Sequence, residues 1–433
     1  MKWTVEPARR LHGELTVPGD KSISHRAVLF ASLARGESVL EGLADGEDVA
    51  STVAVLRSLG IDIEHGDVLR VQGGGLRGLR AAGAPLDCGN SGTTMRLLAG
   101  PLAGQPFTST LTGDAYLRRR PMRRIAAPLS AMGATLDTAA GGTAPLIIDG
   151  KSPLRAITHR PQVASAQVKS CVLLAGLFAD GPTTVVERAA TRDHTERLLA
   201  AMGATVDVGS SAEGPYATIE PGGELSAIAG TVPGDTSSAA YWLVAATLLE
   251  GSCLTLHNVG LNPTRAGIID LLCDWGADIS VERHEDWYGE PVGTLVIAGV
   301  GAALSGGTIE GAAVPGVIDE LPLIAALAPF TEHGVEIRDA AELRVKESDR
   351  IATTAAALRA LGVEVEEFPD GLAVRGGQRL AGGVVDAGGD HRIALAMGAV
   401  GLAAAGPVTV LSAEAISVSY PGFAAAVDEV AVR

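Results

Sequence analysis

The chain has 433 residues, 47% of them apolar and 19% charged, which excludes global disorder and makes two domains a better expectation than one very large core. Fifty acidic residues against 34 basic ones give a net charge of −16, which argues against a general nucleic-acid or anionic-membrane binder. Aromatic residues are only 3%, so Ala, Val and Leu must fill the core, and no stacking platform for single-stranded nucleic acid is in view.

The first residues, MKWTVEPARRLHGEL, carry no apolar run of the kind a signal peptide needs. A helix with a polar start follows, DKSISHRAVLFASLARG, and then the phrase LRSLGIDIE at 56–64: an apolar helix end, a glycine and a short alternating strand. IDIEHGDVLRVQGG alternates on both sides of a Gly/Asp turn and reads as a hairpin. The succession then returns. SGTTMRLLAGPLAG precedes LSAMGATLD (129–137), and a start at Ser165-Ala166-Gln167 precedes LAAMGATVDV (199–208). DTSSAAYWLVAATLLEG precedes the phrase around Gly276, and Lys346-Glu347-Ser348-Asp349-Arg350 precedes LRALGVEVEE (358–367) with its hairpin VEVEEFPDGLAVRGG. The marker glycines, Gly60, Gly133, Gly203, Gly276 and Gly362, stand 73, 70, 73 and 86 residues apart. Each fits a helix C′ position, where a positive φ turns the chain out of the helix. Six units of about 72 residues fill the chain, each a whole supersecondary element set of the form β-α-β-α-β-β. The sixth is expected to end in the helix PGFAAAVDEVAV with no strand after it. The predicted fold class is therefore α/β (α+β), with two domains of three units each.

Several features are set aside. The uncharged run Ile393–Leu411 contains three glycines and a proline and ends as a Val/Thr/Val strand, so a buried helix followed by a strand is expected, not a membrane span. Cys88, Cys171, Cys253 and Cys273 are widely spaced and read as reduced, mostly buried thiols of a cytoplasmic protein. The nine histidines form no metal-ligand spacing, so no metal is expected. GGGLRG (73–78) matches a dinucleotide fingerprint but follows a hairpin strand with no helix after it, and GDKS (19–22) lacks the phosphate-loop frame.

The chemistry is expected at the polar helix starts. A helix N-terminus offers free N–H donors and partial positive charge to an anion. One such start is ordinarily just a cap. Here many recur, and several carry Lys or Arg in an otherwise acidic chain: Lys21-Ser22-Ile23-Ser24-His25-Arg26, Asn90-Ser91-Gly92-Thr93, Arg120-Pro121-Met122, Ser165-Ala166-Gln167, Asp235-Thr236-Ser237-Ser238, Lys346 to Arg350, and Asp390-His391-Arg392. A pocket for a small polyanion accounts for that pattern better than capping alone.

Read together, PGDKSISHRA, GNSGTTMRLLAG, LTGDAYLRRRPM, ASAQVKS, PGDTSSAAY, LRVKESDRI and GDHRIALAMG make the chain resemble the EPSP synthases of the enolpyruvyl transferase family, from about residue 12 to Phe423. The resemblance implies two domains of threefold repeats, with four-stranded sheets and parallel helices, and two chain crossings between them, near Val17–Lys21 and Gly230–Asp235. Residues 1–18 with 232–433 would form one domain and 19–231 the other, with the active site in the cleft between them. It implies transfer of enolpyruvyl from phosphoenolpyruvate to the 5-hydroxyl of shikimate 3-phosphate, in a cytoplasmic monomer, with no cofactor or metal, nucleic acid or membrane involved. Glyphosate is expected to compete with phosphoenolpyruvate.

By the same resemblance, Lys21 bridges both substrates, and Ser22 and Arg26 hold the phosphate ester of shikimate 3-phosphate. Ser165, Ala166 (through its N–H), Gln167 and Arg192 add to that site. Gly92, Arg120, Gln167, Arg350, His391 and Arg392 receive phosphoenolpyruvate. Asp319 accepts the 5-hydroxyl proton, Glu347 moves the proton at C3, and Lys346 holds substrate beside it. Arg344, Asp48, Asn90, Arg96 and Asp235 are supporting positions, while Arg118, Arg119, Arg123 and Arg124 are expected to face solvent. The chain departs from the family pattern at Val418, where many members carry lysine, at Glu342, where an asparagine binds substrate, and at Ala166, which removes a hydroxyl but keeps the N–H. The rival readings are a UDP-N-acetylglucosamine enolpyruvyl transferase and a non-catalytic binding protein on the same fold. The first is opposed by the absence of a cysteine in GDAYLRRRPM and by Ser22 after Lys21.

Overall fold

The computed structural model describes residues 1–66 and 68–433. The chain divides into two compact units. One, the inserted unit, comprises Gly19–Val232 and Asp286–Glu290; the other, the terminal unit, comprises Met1–Pro18, Pro233–Glu285 and Pro291–Arg433. The chain thus passes between units four times, not the expected two, because five residues of the C-terminal half belong to the inserted unit; Val232 also falls there.

In the inserted unit the helices are α1 (Lys21–Leu33), α2 (Glu47–Ser58), α3 (Gly92–Ala103), α4 (Arg123–Ala131), α5 (Ala166–Gly176) and α6 (His194–Ala201). Its three sheets repeat one plan. In the second, Leu86–Asp87 runs parallel to Thr108–Thr112, which pairs antiparallel with Thr143–Asp149, and that strand with Thr135–Ala139. This is the β-α-β-α-β-β unit expected from the sequence. The terminal unit contains α7 (Thr236–Leu248), α8 (Gly267–Asp274), α9 (Val314–Val317), α10 (Leu321–Leu327), α11 (Arg350–Ala360), α12 (His391–Gly401) and α13 (Phe423–Val430), with three further sheets.

The helices α1, α3, α5, α7, α10 and α12 are buried along most of their length and lie inside their units. All residues of α7 are buried, as is α1 from Ile23 to Leu33. Small residues let these helices approach closely: a Cβ on Gly100 of α3 would lie 2.3 Å from the Cys171 carbonyl oxygen of α5. The outer helices end as the glycine phrase predicts. Gly60, Gly133, Gly203, Gly276 and Gly362 have φ of 86°, 102°, 101°, 103° and 84°. After α2, Ile61 N–H returns to the Leu56 carbonyl at 3.1 Å, closing the helix before the strand begins.

Two expectations need correction. A strand does follow the last helix: Ala431–Val432 pairs antiparallel with the start of Arg10–Thr16. It is too short to show alternation. Cys88 and Cys171 are buried but Cys253 and Cys273 are exposed, the latter on the outer helix α8 and the former at a strand start. The run Ile393–Leu411 forms most of α12 and then the strand Val408–Leu411, and among the described residues no single helix is long and apolar enough to cross a membrane.

Candidate active site

In the inserted unit the polar helix starts carry the cations. Asp20 caps α1 by accepting from Ile23 N–H at 2.9 Å, which sets Lys21 and Ser22 in the first turn. Lys21 Nζ lies 3.3 Å from Asp48 on α2. Arg26, one turn on, is buried and donates to three neutral oxygens: Thr195 Oγ1 at 2.8 Å, Ser170 Oγ at 2.8 Å and the Ser22 carbonyl at 2.9 Å. Burial pushes its pKa down to about 10, against the pull of Glu196 and Asp20, so it remains a cation at neutral pH. Arg192 lies close enough to oppose that charge.

A second group surrounds the start of α3, capped by Ser91. Asn90 accepts from Arg120 Nη2 at 2.9 Å and donates to Asp114 at 2.7 Å. Gln167, in the first turn of α5, accepts from Arg96 at 2.6 Å and donates to Thr93 at 3.0 Å. A Cβ on Gly92 would sit 3.0 Å from Arg96 Nη1 and 3.3 Å from Arg120 Nη1. Gly92 is therefore the floor beneath two guanidiniums. Ser165 precedes α5 without a side-chain capping bond, so plain capping does not explain it. Arg118, Arg119, Arg123 and Arg124 are exposed, as expected. Behind these groups His25 Nδ1 meets Thr52 Oγ1 at 2.7 Å, Thr52 meets Thr94 at 2.7 Å, and Thr94 donates to Ser91 at 2.7 Å. Burial lowers the His25 pKa to about 3, so this buttress is neutral.

In the terminal unit guanidiniums meet carboxylates. Arg350, at the start of α11, is buried; it places Nη2 2.6 Å from Glu347, Nε 2.9 Å from Asp390 and Nη1 3.4 Å from Asp319. Arg392, in the first turn of α12, reaches Asp319 Oδ2 at 3.5 Å, the Asp319 carbonyl at 3.2 Å and Glu320 at 3.5 Å. Burial opposes the charge of both arginines, but the carboxylates outweigh it and hold both pKa values above the ordinary arginine value. Burial would likewise raise Asp390, yet Arg350 holds it below the usual carboxylate range. Asp390 also caps α12, accepting from Arg392 N–H at 2.9 Å, and Asp349 caps α11. Buried His391 begins α12 beside them.

The structure brings Asp319, Glu347, Arg350 and Arg392 together. Asp319 is not the cap of α10; Glu320 occupies that place. Lys346 points to Glu342 at 3.0 Å. Arg344 is pinned to Asp349, Glu367 and the Phe368 and Pro369 carbonyls, where it ties down the turn before α11. Val418 is half-buried in a short 3-10 turn, Ala413–Val418.

Sequence reasoning missed Arg265 and Glu320. Arg265 lies 3.3 Å from the α7 cap Asp235, 3.7 Å from Asp319 and 4.0 Å from Glu320, and bonds Ser237, which itself bonds Glu320. The available signal was a single arginine within the mostly apolar stretch VGLNPTRAGII, where a lone charge needs a partner. Five carboxylates thus share three guanidiniums, an arrangement in which each buried charge has an opposite partner.

Residues 5–427 match the family model described as EPSP synthase (3-phosphoshikimate 1-carboxyvinyltransferase). The chain is 50% identical over 431 residues to the 3-phosphoshikimate 1-carboxyvinyltransferase of Desulforudis audaxviator, covering 99% of each. It is 51% identical over 426 residues to that of Acidithiobacillus ferrooxidans, covering 98% of this chain and 96% of the relative. The solved EPSP synthase of Acinetobacter baumannii superimposes with a TM-score of 0.89 at 40% identity, covering 100% of this chain and 98% of that one. With a family-model match over nearly its whole length and relatives about 50% identical over all of it, this chain belongs to the EPSP synthase family.

Proposed function

We propose that the protein transfers the enolpyruvyl group of phosphoenolpyruvate to the 5-hydroxyl of shikimate 3-phosphate, releasing phosphate. The observation that carries the reading is a single buried guanidinium, Arg350, facing both Asp319 and Glu347. The reaction needs a base for the attacking hydroxyl and an acid for C3 of the enol, and these two carboxylates are the pair offered. Asp319 takes the 5-hydroxyl proton as the oxygen attacks C2, and Glu347 delivers a proton to C3, making a methyl group. In the tetrahedral intermediate Glu347 takes a methyl proton back, the double bond re-forms and the C2–O bond to phosphate breaks.

Lys21, Ser22, Arg26, Ser165, the Ala166 N–H, Gln167, Arg192 and Lys346 serve shikimate 3-phosphate. Lys21, Gly92, Arg120, Gln167, Arg350, His391 and Arg392 serve phosphoenolpyruvate. The neutral partners of Arg26 and Arg120 support this, since they leave the positive charge available to an anion. Arg350, engaged by three carboxylates, and Arg392, engaged by two, are arginines whose partners must loosen for them to meet substrate. The protein works as a cytoplasmic monomer.

The test is phosphate release from phosphoenolpyruvate with shikimate 3-phosphate, run beside UDP-N-acetylglucosamine. Release is expected with the first acceptor only, and Asp319→Ala and Glu347→Gln should each lower kcat about 10²–10⁴-fold. Release with the second acceptor, or none with either from folded protein, overturns the reading.

A further inference from the structure

We propose that Glu290 and His194 are positioning residues for shikimate 3-phosphate, acting through Thr195 on Arg26; this rests on the function proposed above. The five residues Asp286–Glu290 belong to the inserted unit although the chain on either side belongs to the terminal unit. Their turn is tight. Trp287 and Glu290 exchange both backbone bonds at 2.9 Å, with Tyr288 and Gly289 at φ of 47° and 82°. Two consecutive positive φ values are the hallmark of the hairpin turn that needs glycine or a tolerant residue. The turn is anchored at both rings and at its tip. Trp287 Nε1 donates to the Ala229 carbonyl at 3.3 Å, Tyr288 Oη accepts from Ala229 N–H at 2.9 Å, and Arg197 donates to the Gly289 carbonyl at 2.9 Å.

This anchoring delivers Glu290 to His194. Glu290 Oε1 lies 2.8 Å from His194 Nδ1, and both side chains are 1% exposed. His194 is the first residue of α6, and the next, Thr195, accepts from Arg26 Nε and shares a bond of 2.7 Å with Ser170. The loop before α6 is tied at its other end. Lys169 lies 2.8 Å from both Glu187 and Glu196 and donates to the Thr191 carbonyl, so Arg192 sits in a segment fixed on both sides. Desolvating a carboxylate is expensive, and an apolar pair of similar volume would hold a turn on a helix at no greater cost. What an apolar pair cannot do is fix the rotation of α6, and with it the oxygen that aims the Arg26 fork. Glu290 also adds its negative charge to those supporting the buried Arg26 cation.

The experiment compares wild type, Glu290→Ala and Glu290→Gln by steady-state kinetics and thermal unfolding. Gln keeps an acceptor for His194 Nδ1–H. Glu290→Ala should raise KM for shikimate 3-phosphate about tenfold, with kcat and KM for phosphoenolpyruvate within about twofold, and Glu290→Gln should restore most of it. A lowered melting temperature with KM for shikimate 3-phosphate unchanged overturns the proposal, because a merely structural pair moves the first and not the second. If Glu290→Ala does not fold, Thr195→Val, which removes the Arg26 acceptor, carries the same expectation, and an unchanged KM there overturns it equally. Wild-type protein that releases no phosphate sinks the parent reading and this one together; active wild type with unshifted variants sinks this one alone.

Discussion

Among the candidate site residues, the two units use arginine in opposite ways. In the inserted unit Arg26, Arg96 and Arg120 meet hydroxyl, carbonyl and amide oxygens. In the terminal unit Arg265, Arg350 and Arg392 meet carboxylates. Neutral partners orient a guanidinium without cancelling its charge, which suits an anion receptor. Carboxylate partners offset the charge and leave a cluster of paired ions that hold one another in place. The residue type alone does not separate these uses; the partner does.

The sharpest way to break the comparison is to delete one arginine from each side. Arg350→Met takes from buried Asp390 the guanidinium it pairs with and should destabilise the protein by about 3–5 kcal/mol, read by urea unfolding. Arg120→Met strands only the Asn90 amide oxygen and should cost about 1 kcal/mol, while raising KM for phosphoenolpyruvate. Equal losses of stability would erase the distinction.

A smaller effect tests the neutral buttress. The His25 pKa of about 3 lies below its unfolded value near 6.5, so in the window between them the unfolded chain holds a proton that the fold refuses. Stability is therefore full above that window and falls as pH drops through it, by about 1.4 kcal/mol per pH unit, or about 2 kcal/mol by pH 5. Unfolding measured at pH 7.5 and 5.0 should show this loss, and His25→Gln should reduce it; the same slope in the variant would assign it to other groups.

The smallest expected change is at Gly92. Gly92→Ala must push the Arg96 and Arg120 guanidiniums by a few tenths of an ångström. KM for phosphoenolpyruvate should rise about tenfold with little change in melting temperature. A KM within twofold of wild type would mean that the two side chains simply relax.

The repeat was legible because its marker is a backbone requirement: only glycine turns easily out of a helix at positive φ, and all five marker glycines do so. Helix starts were legible for a similar reason, since Asp20, Ser91, Asp235, Asp349 and Asp390 are short acceptors beside free N–H groups, and all cap. The excursion of Asp286–Glu290 was not. DWYGEP reads as one more local turn, and nothing local points to Ala229, Arg197 or His194 as its partners. Arg265 and Glu320 escaped because a buried ion cluster is assembled from single residues on separate elements and leaves no period in the sequence. Most of the site roles came from the resemblance; what geometry adds is which partners each charge has.

The strand pairing of the terminal unit has a consequence for biosynthesis. Arg10–Thr16 pairs with Cys253–Gly260 on one side and with Ala431–Val432 on the other, and Lys2–Val5 pairs with Val408–Leu411. The first strands made must therefore wait for partners translated hundreds of residues later. Nearly all of the inserted unit is one continuous stretch, Gly19–Val232, and can condense while the ribosome is still at work. The nascent chain then carries a folded body flanked by an unpaired leading strand. That waiting edge is where chaperone protection, or aggregation in its absence, is expected to concentrate.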